Sequence, residues 1–220
     1  MYKPTQTEQQ NVFDVYDIIS NEFNNTRRSV WEGVKSFLDS LPTGHSGFEI
    51  GCGNGKNMLY RGDLIMEGID TCENFVKICQ DKGLNVNRGN ILDDLQIIDK
   101  YDFVISIAVF HHISDYKNRF NALYNMINML KSGGKGLLTV WSVEQDYDSK
   151  KEFVAGDNIV KWHKRKILEN GSQGFDIYNR YYYVYDRSDF YEYLSLFNSY
   201  INIEKVFNEK GNWFCQFIKK

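Results

Sequence analysis

The sequence predicts an α/β fold: a seven-stranded, mostly parallel sheet with one antiparallel strand and helices on both faces. Three observations predict it. Short apolar runs alternate with amphipathic stretches from about residue 46 to 141, and the run Phe103 to Val109 is apolar almost throughout. Directly after the first run comes the glycine-rich string Gly51-Cys52-Gly53-Asn54-Gly55. Strands interleaved with helices pair in parallel, because each crossover helix returns the chain to the same end of the sheet. A strand covered on both faces has no place for polar side chains, which fits 103–109 at the centre.

In chain order, residues 11–23 and 28–40 come first. Val12, Val15, Ile19 and Phe23, then Val30, Val34, Phe37 and Leu38, recur at three- and four-residue steps and predict two helices. With the turn Leu41-Pro42-Thr43-Gly44 they form an N-terminal helical cap over residues 1–44. Strands follow at Phe48 to Ile50, Leu64 to Ile69, Leu84 to Val86, Phe103 to Val109 and Gly136 to Trp141. Tyr116 to Leu130 is a further helix, and Lys131-Ser132-Gly133-Gly134 reads as its glycine C-cap. Residues 144–179 lose the alternation and read as a polar insertion over the sheet's C-terminal edge, where open α/β sheets bind ligands. A helix at 187–197 and strands at about 200–207 and 213–218 end the chain, the hairpin supplying the reversed strand.

Composition narrows the function. The chain has 220 residues, 42% of them hydrophobic, enough for one large domain. No run approaches the roughly 20 apolar residues of a membrane span, and the polar N-terminus lacks a signal peptide's apolar stretch, so a cytoplasmic protein without membrane contact is expected. Cys52, Cys72, Cys79 and Cys215 are scattered, without C-x-x-C or paired histidine spacing, so free thiols and no metal site are expected. The net charge of −3 gives no global attraction for nucleic acid. One dense basic cluster, Lys161, Lys164, Arg165 and Lys166 around Trp162 and His163, reads either as a solvated loop or as a local RNA contact.

The glycine turn reads G-x-G-x-G, with Lys56 where the dinucleotide fingerprint requires its third glycine. Glycines let a ligand approach the backbone and present amides at a helix N-terminus. Glu49 beside the first glycine would repel a pyrophosphate but suits a ligand bearing an ammonium and a sulfonium. Asp70 ends the second strand, fifteen residues after Gly55. Its carboxylate is placed either to accept both ribose hydroxyls or to cap the following helix. These features predict S-adenosyl-L-methionine on a Rossmann-like scaffold, with Glu49, Gly51, Cys52, Gly53, Asn54, Gly55 and Asp70 in the cofactor site, and resemblance to class I methyltransferases adds Tyr16, Asn90, Ile91 and Ile107.

Longer strings carry a resemblance. Ile105-Ser106-Ile107-Ala108-Val109-Phe110-His111-His112, Tyr16-Asp17 through Thr26-Arg27 to Trp31, Val140-Trp141-Ser142-Val143-Glu144-Gln145 and Arg180-Tyr181-Tyr182-Tyr183-Val184-Tyr185 resemble the eukaryotic-type tRNA wobble-uridine methyltransferases, class I enzymes that esterify 5-carboxymethyluridine. The likeness covers about residues 12–197. The family's V-P-W-H stands here as Val160-Lys161-Trp162-His163, and its histidine as Tyr183. The resemblance implies a tRNA anticodon loop as partner, an acceptor carboxylate held by Arg27 and Arg180 and oriented by His112, and a small zinc-binding activator subunit. It further implies His111, Trp141, Trp162, His163 and Tyr182 on the substrate side. A small-molecule carboxylate methyltransferase and a non-catalytic relative of the same fold are the alternatives.

Overall fold

The computed structural model describes residues 2–27, 29–145, 152–168 and 172–220. Its sheet runs β3-β2-β1-β4-β5-β9-β8, with β1 Ser46–Ile50, β2 Ile65–Asp70, β3 Asn85–Arg88, β4 Tyr101–Ile107, β5 Leu130–Trp141, β8 Ile201–Glu209 and β9 Asn212–Lys219. The first five are mutually parallel, and β9 is antiparallel to both β5 and β8. The predicted seven-stranded sheet with one reversed strand is therefore what forms.

Period-two alternation along the central strands divides the core. Val104 of β4 and Leu138 and Val140 of β5 pack with Ala122, Leu123, Met126 and Ile127 of helix α5 (Tyr116–Met129) and with α6 (Arg187–Ser195). Phe103, Ile105 and Leu137 point the other way, onto Val34, Phe37 and Leu38 of α3 (Glu32–Asp39). Helix α4 (Glu73–Gln80) covers the β1–β3 side through Val76 and Cys79. Close packing demands two glycines in the sheet: a Cβ on Gly47 would meet the Phe103 ring at 2.0 Å, and one on Gly136 the Phe217 ring at 2.1 Å.

The first predicted helix starts earlier than the apolar periodicity indicates. Thr5 caps α1 (Gln6–Glu8) in a reciprocal box with Glu8, and a π-helical turn over Gln9–Phe13 leads into α2 (Asp14–Thr26). The glycines 133–134 do not cap α5. That helix ends at Met129, Leu130 is already extended and paired with Tyr101, and Gly133 takes its positive φ in the irregular stretch before regular pairing resumes at Lys135.

The larger correction concerns residues 144–179. In place of a loop, Gly156–Ile167 (β6) pairs with Gln173–Val184 (β7) as a long antiparallel hairpin in twelve registered pairs. The turn signal Asn170-Gly171 lies outside the described residues. No helix among the described residues is long and apolar enough to cross a membrane.

Candidate active site

A cavity of about 440 Å³ opens at the carboxyl ends of β1, β2, β4 and β5, roofed by α2 and the base of β7. One wall is largely backbone. Gly51 and Gly53 both have positive φ, the left-handed region that glycine enters without steric cost. A Cβ on Gly51 would meet Val109 at 2.4 Å, whereas at Gly53 there is open space on the cavity side. Gly55 is corrected from the cofactor set. It does not line the cavity, and its missing Cβ lets the turn pack on Leu84 and Cys79, 2.4 and 2.9 Å from where that atom would stand.

Two buried acids flank this turn. Glu49 is 1% exposed; its Oε1 accepts from Asn57 Nδ2 at 2.6 Å, and its Oε2 has no partner. Burial pushes its carboxyl up to about 8, against the Asn57 hydrogen bond, which lowers it. Asp70 accepts from Gly53 N–H at 2.8 Å and from Cys72 N–H at 2.9 Å, and burial raises it to about 6. Both readings of Asp70 meet here: it caps the α4 entry through Cys72 and still lines the cavity. Asn90, Ile91, Cys52, Asn54 and Ile107 line the same wall. The Asn90 side chain accepts from Leu92 N–H in a local turn, and Asn54 Nδ2 donates to the carbonyl of Arg27 at 3.0 Å. That contact ties the Arg27 backbone to the glycine turn, while its side chain lines the same cavity as His112 and Arg180. The Arg27 guanidinium lies 5.4 Å from the Phe23 ring centroid.

The opposite wall is built from side chains. His112 Nδ1 stands 2.9 Å from the Tyr181 carbonyl, which can only accept, so Nδ1 carries the proton. Burial lowers the ring to about 3, so it is neutral, and Nε2 accepts from the Tyr16 hydroxyl at 2.9 Å. Both nitrogens are thus committed, and His112 positions Tyr16 without serving as a proton carrier. His111, also held neutral by burial, accepts from Trp141 N–H through Nδ1 at 3.1 Å.

Arg180 is 6% exposed and faces no carboxylate among the described residues. Its Nη1 donates to the Tyr182 hydroxyl at 2.7 Å, while Nε has no partner. The guanidinium lies between the Trp162 ring, 5.0 Å away, and the Tyr182 ring, 5.2 Å away. Tyr182 in turn stacks on Trp141 with centroids 4.0 Å apart and planes 19° from parallel. That face of Trp141 is therefore filled by Tyr182, not offered to a base.

Two sequence assignments move. Trp162 does not line the cavity; it supports Arg180 from behind and packs near Phe23. His163, the next residue on a strand, takes the opposite face, exposed and edge-on to Phe175, away from the cavity. Tyr183 also points away, with Arg119 3.6 Å from its ring centroid. Sequence reasoning missed Tyr2, Glu8, Asn57, Ala108 and Lys210, which also line the cavity. Glu8 completes the Thr5 capping box, and it is also buried and accepts from Ser114 N–H at 2.7 Å, tying the N-terminal segment over the pocket. Ala108 has φ +61°, strain without a glycine to announce it.

Residues 48–138 match a methyltransferase domain family. A fission yeast (Schizosaccharomyces pombe) tRNA (carboxymethyluridine(34)-5-O)-methyltransferase is 35% identical over 84% of this chain and 86% of its own. The chain belongs to this methyltransferase family. A Xenopus tropicalis relative of the same name is 30% identical over 97% of the chain, and the chain spans 41% of that relative's length and 24% of a mouse relative's. The fold also matches a solved S-adenosylmethionine-dependent methyltransferase from Clostridium acetobutylicum, with a TM-score of 0.64 over 93% of this chain and 99% of that one at 14% identity.

Proposed function

We propose that this family member is an S-adenosyl-L-methionine-dependent methyltransferase that esterifies the carboxylate of 5-carboxymethyluridine at the wobble position of tRNA. One observation carries the reading: Arg180 presents a buried guanidinium, without an acidic partner among the described residues, to the same cavity as the two buried acids of the glycine turn. A fixed buried cation without a counter-ion is costly unless a ligand supplies the anion.

The glycine-turn wall fits the cofactor. Glu49 Oε2 is buried without a partner, as a site for an ammonium or sulfonium requires, and Gly53 leaves room at the backbone. Glu49 would face the cationic part, Asp70 the ribose, Asn90 and Ile91 the adenine, and Arg27 the methionine carboxylate. When bound, the cofactor supplies an electrophilic methyl group.

The protein's remaining task is to hold the acceptor. A carboxyl with an ordinary pKa of about 4 is already ionised at neutral pH, so no general base is required. This agrees with His111 and His112 being neutral and internally bonded. Arg180 fixes the carboxylate through forked donors, and Tyr182 and Tyr16 fix Arg180 and the pocket wall. Rate then comes from alignment and from removing water from a weak oxyanion nucleophile.

The test is nucleoside mass spectrometry of carboxymethylated tRNA incubated with protein and cofactor, with and without the zinc-binding activator that family resemblance implies. Conversion of the acid to its methyl ester is expected. Persistence of the acid in both arms, or equal methylation of small carboxylates without RNA, contradicts the reading.

A further inference from the structure

The basic run 161–166 is not one patch, because a strand divides it. On β6, Trp162 and Lys164 turn inward: Trp162 onto Phe23, and Lys164 onto the Ile18 carbonyl at 3.0 Å and Glu22 at 3.6 Å. Lys166 is paired with Asp176 of β7. Lys161, His163 and Arg165 face outward, and the register sets Asn179, Ile177 and Phe175 opposite them.

This outward face has an unusual composition. Ile159, Ile167, Phe175 and Ile177 are 54, 72, 53 and 55% exposed. From the Lys161–Asn179 rung to the Ile167–Gln173 rung the face holds Lys161, Arg165 and His163 and no carboxylate. Neither Lys161 nor Arg165 has an ion-pair partner among the described residues, and the acid nearest the base of the hairpin, Asp157, accepts from the Tyr181 hydroxyl. Exposed apolar clusters of this kind mark binding surfaces, and cations interleaved with an aromatic ring suit a polyanion with unstacked bases. An acidic protein would satisfy the charges but offers no regular array of anions.

The geometry points to this outward face as the surface that binds the RNA strand flanking the acceptor, with Lys161 and Arg165 on phosphates and Phe175 beneath an unstacked base. The inference rests on the reading above that the acceptor is carried by RNA. Five residues of extended β7, roughly 17 Å, separate Phe175 from Arg180. Their side chains take opposite faces, so the flanking strand passes over the hairpin's edge and the nucleotide on Phe175 is not the one that enters the cavity.

The experiment is fluorescence anisotropy of labelled tRNA across a salt series, using the full chain and the variants Lys161→Gln/Arg165→Gln, Phe175→Ala and Lys166→Gln. Calorimetric cofactor binding and methylation of the free carboxymethyluridine nucleoside are measured on each. The double variant is expected to bind tRNA about tenfold more weakly and to flatten the log–log salt slope by about 1.4, two single-strand phosphate contacts. Phe175→Ala should lose about fivefold or more with the slope unchanged. Lys166→Gln, cofactor binding and nucleoside methylation should stay at wild-type values. Wild-type tRNA affinity and slope in the first two variants overturn the inference, as do equal losses in Lys166→Gln or binding to anionic phosphatidylserine vesicles without binding to tRNA. A salt-dependent loss on a wild type that esterifies no tRNA supports the surface and sinks the proposed reaction instead.

Discussion

At the turn after β1 the backbone makes the site: Gly51 and Gly53 in left-handed conformations, the Gly53 amide held by the Asp70 carboxylate, and few side chains beyond two buried acids. Across the cavity β7 works the other way, projecting Arg180 and Tyr182 from a hairpin whose far end stands in solvent. The first wall is acidic and part of the packed sheet; the second is cationic and belongs to an appended layer. On the proposed reading the sheet edge binds the donor and the attached hairpin selects the acceptor, because a side-chain wall can change without disturbing the sheet.

Substitutions on the two walls should therefore separate. The largest effect is expected at Arg180: Arg180→Met, which keeps much of the apolar packing, should reduce esterification on the order of 10²-fold while leaving the cofactor Kd unchanged in calorimetry. If cofactor affinity falls equally, the walls are not independent. Asp70→Ala should weaken cofactor binding by about 1–3 kcal/mol, measured the same way, since it removes a carboxylate that also anchors Gly53 and Cys72 amides.

Glu49 sharpens the comparison through pH. Its folded value of about 8 lies above its ordinary 4.5, so the folded protein holds a proton that the unfolded chain releases. Its contribution to stability therefore falls as pH rises through that window. A cationic ligand prefers the ionised form, so cofactor affinity should increase from about pH 6 to about pH 8, with proton release visible as a buffer-dependent enthalpy. Glu49→Gln should remove most of that release. Proton release unchanged in the variant would assign it to another group, Asp70 first. The smallest effect is expected for Tyr16→Phe, about 1 kcal/mol in kcat/KM from losing the hydrogen bond to His112 Nε2.

The same division explains what the sequence discloses. Apolar strands and a glycine turn are periodic or positional signals, so the strands of the sheet, their mostly parallel pairing and the acids Glu49 and Asp70 can be read directly. The hairpin cannot. One face of β6 packs the amphiphilic Trp162 and Lys164 on α2, the other mixes isoleucine with lysine and arginine in solvent, and neither face shows a clean apolar stripe. Hence 156–167 resembles a polar insertion, and its alternation becomes meaningful only once β7 is seen opposite it. Glu8 and Asn57 escape notice for another reason: their importance lies in partners 106 and 8 residues away, Ser114 and Glu49.

The central claim is that Arg180 awaits an external carboxylate. Calorimetric titration of carboxymethyluridine nucleoside, and of its uncharged amide, into the protein carrying the demethylated cofactor product tests it most directly. The acid should bind at least about tenfold more tightly than the amide to the wild type, and Arg180→Met should erase that preference. Equal affinities in the wild type, or a preference that survives in Arg180→Met, would contradict the account.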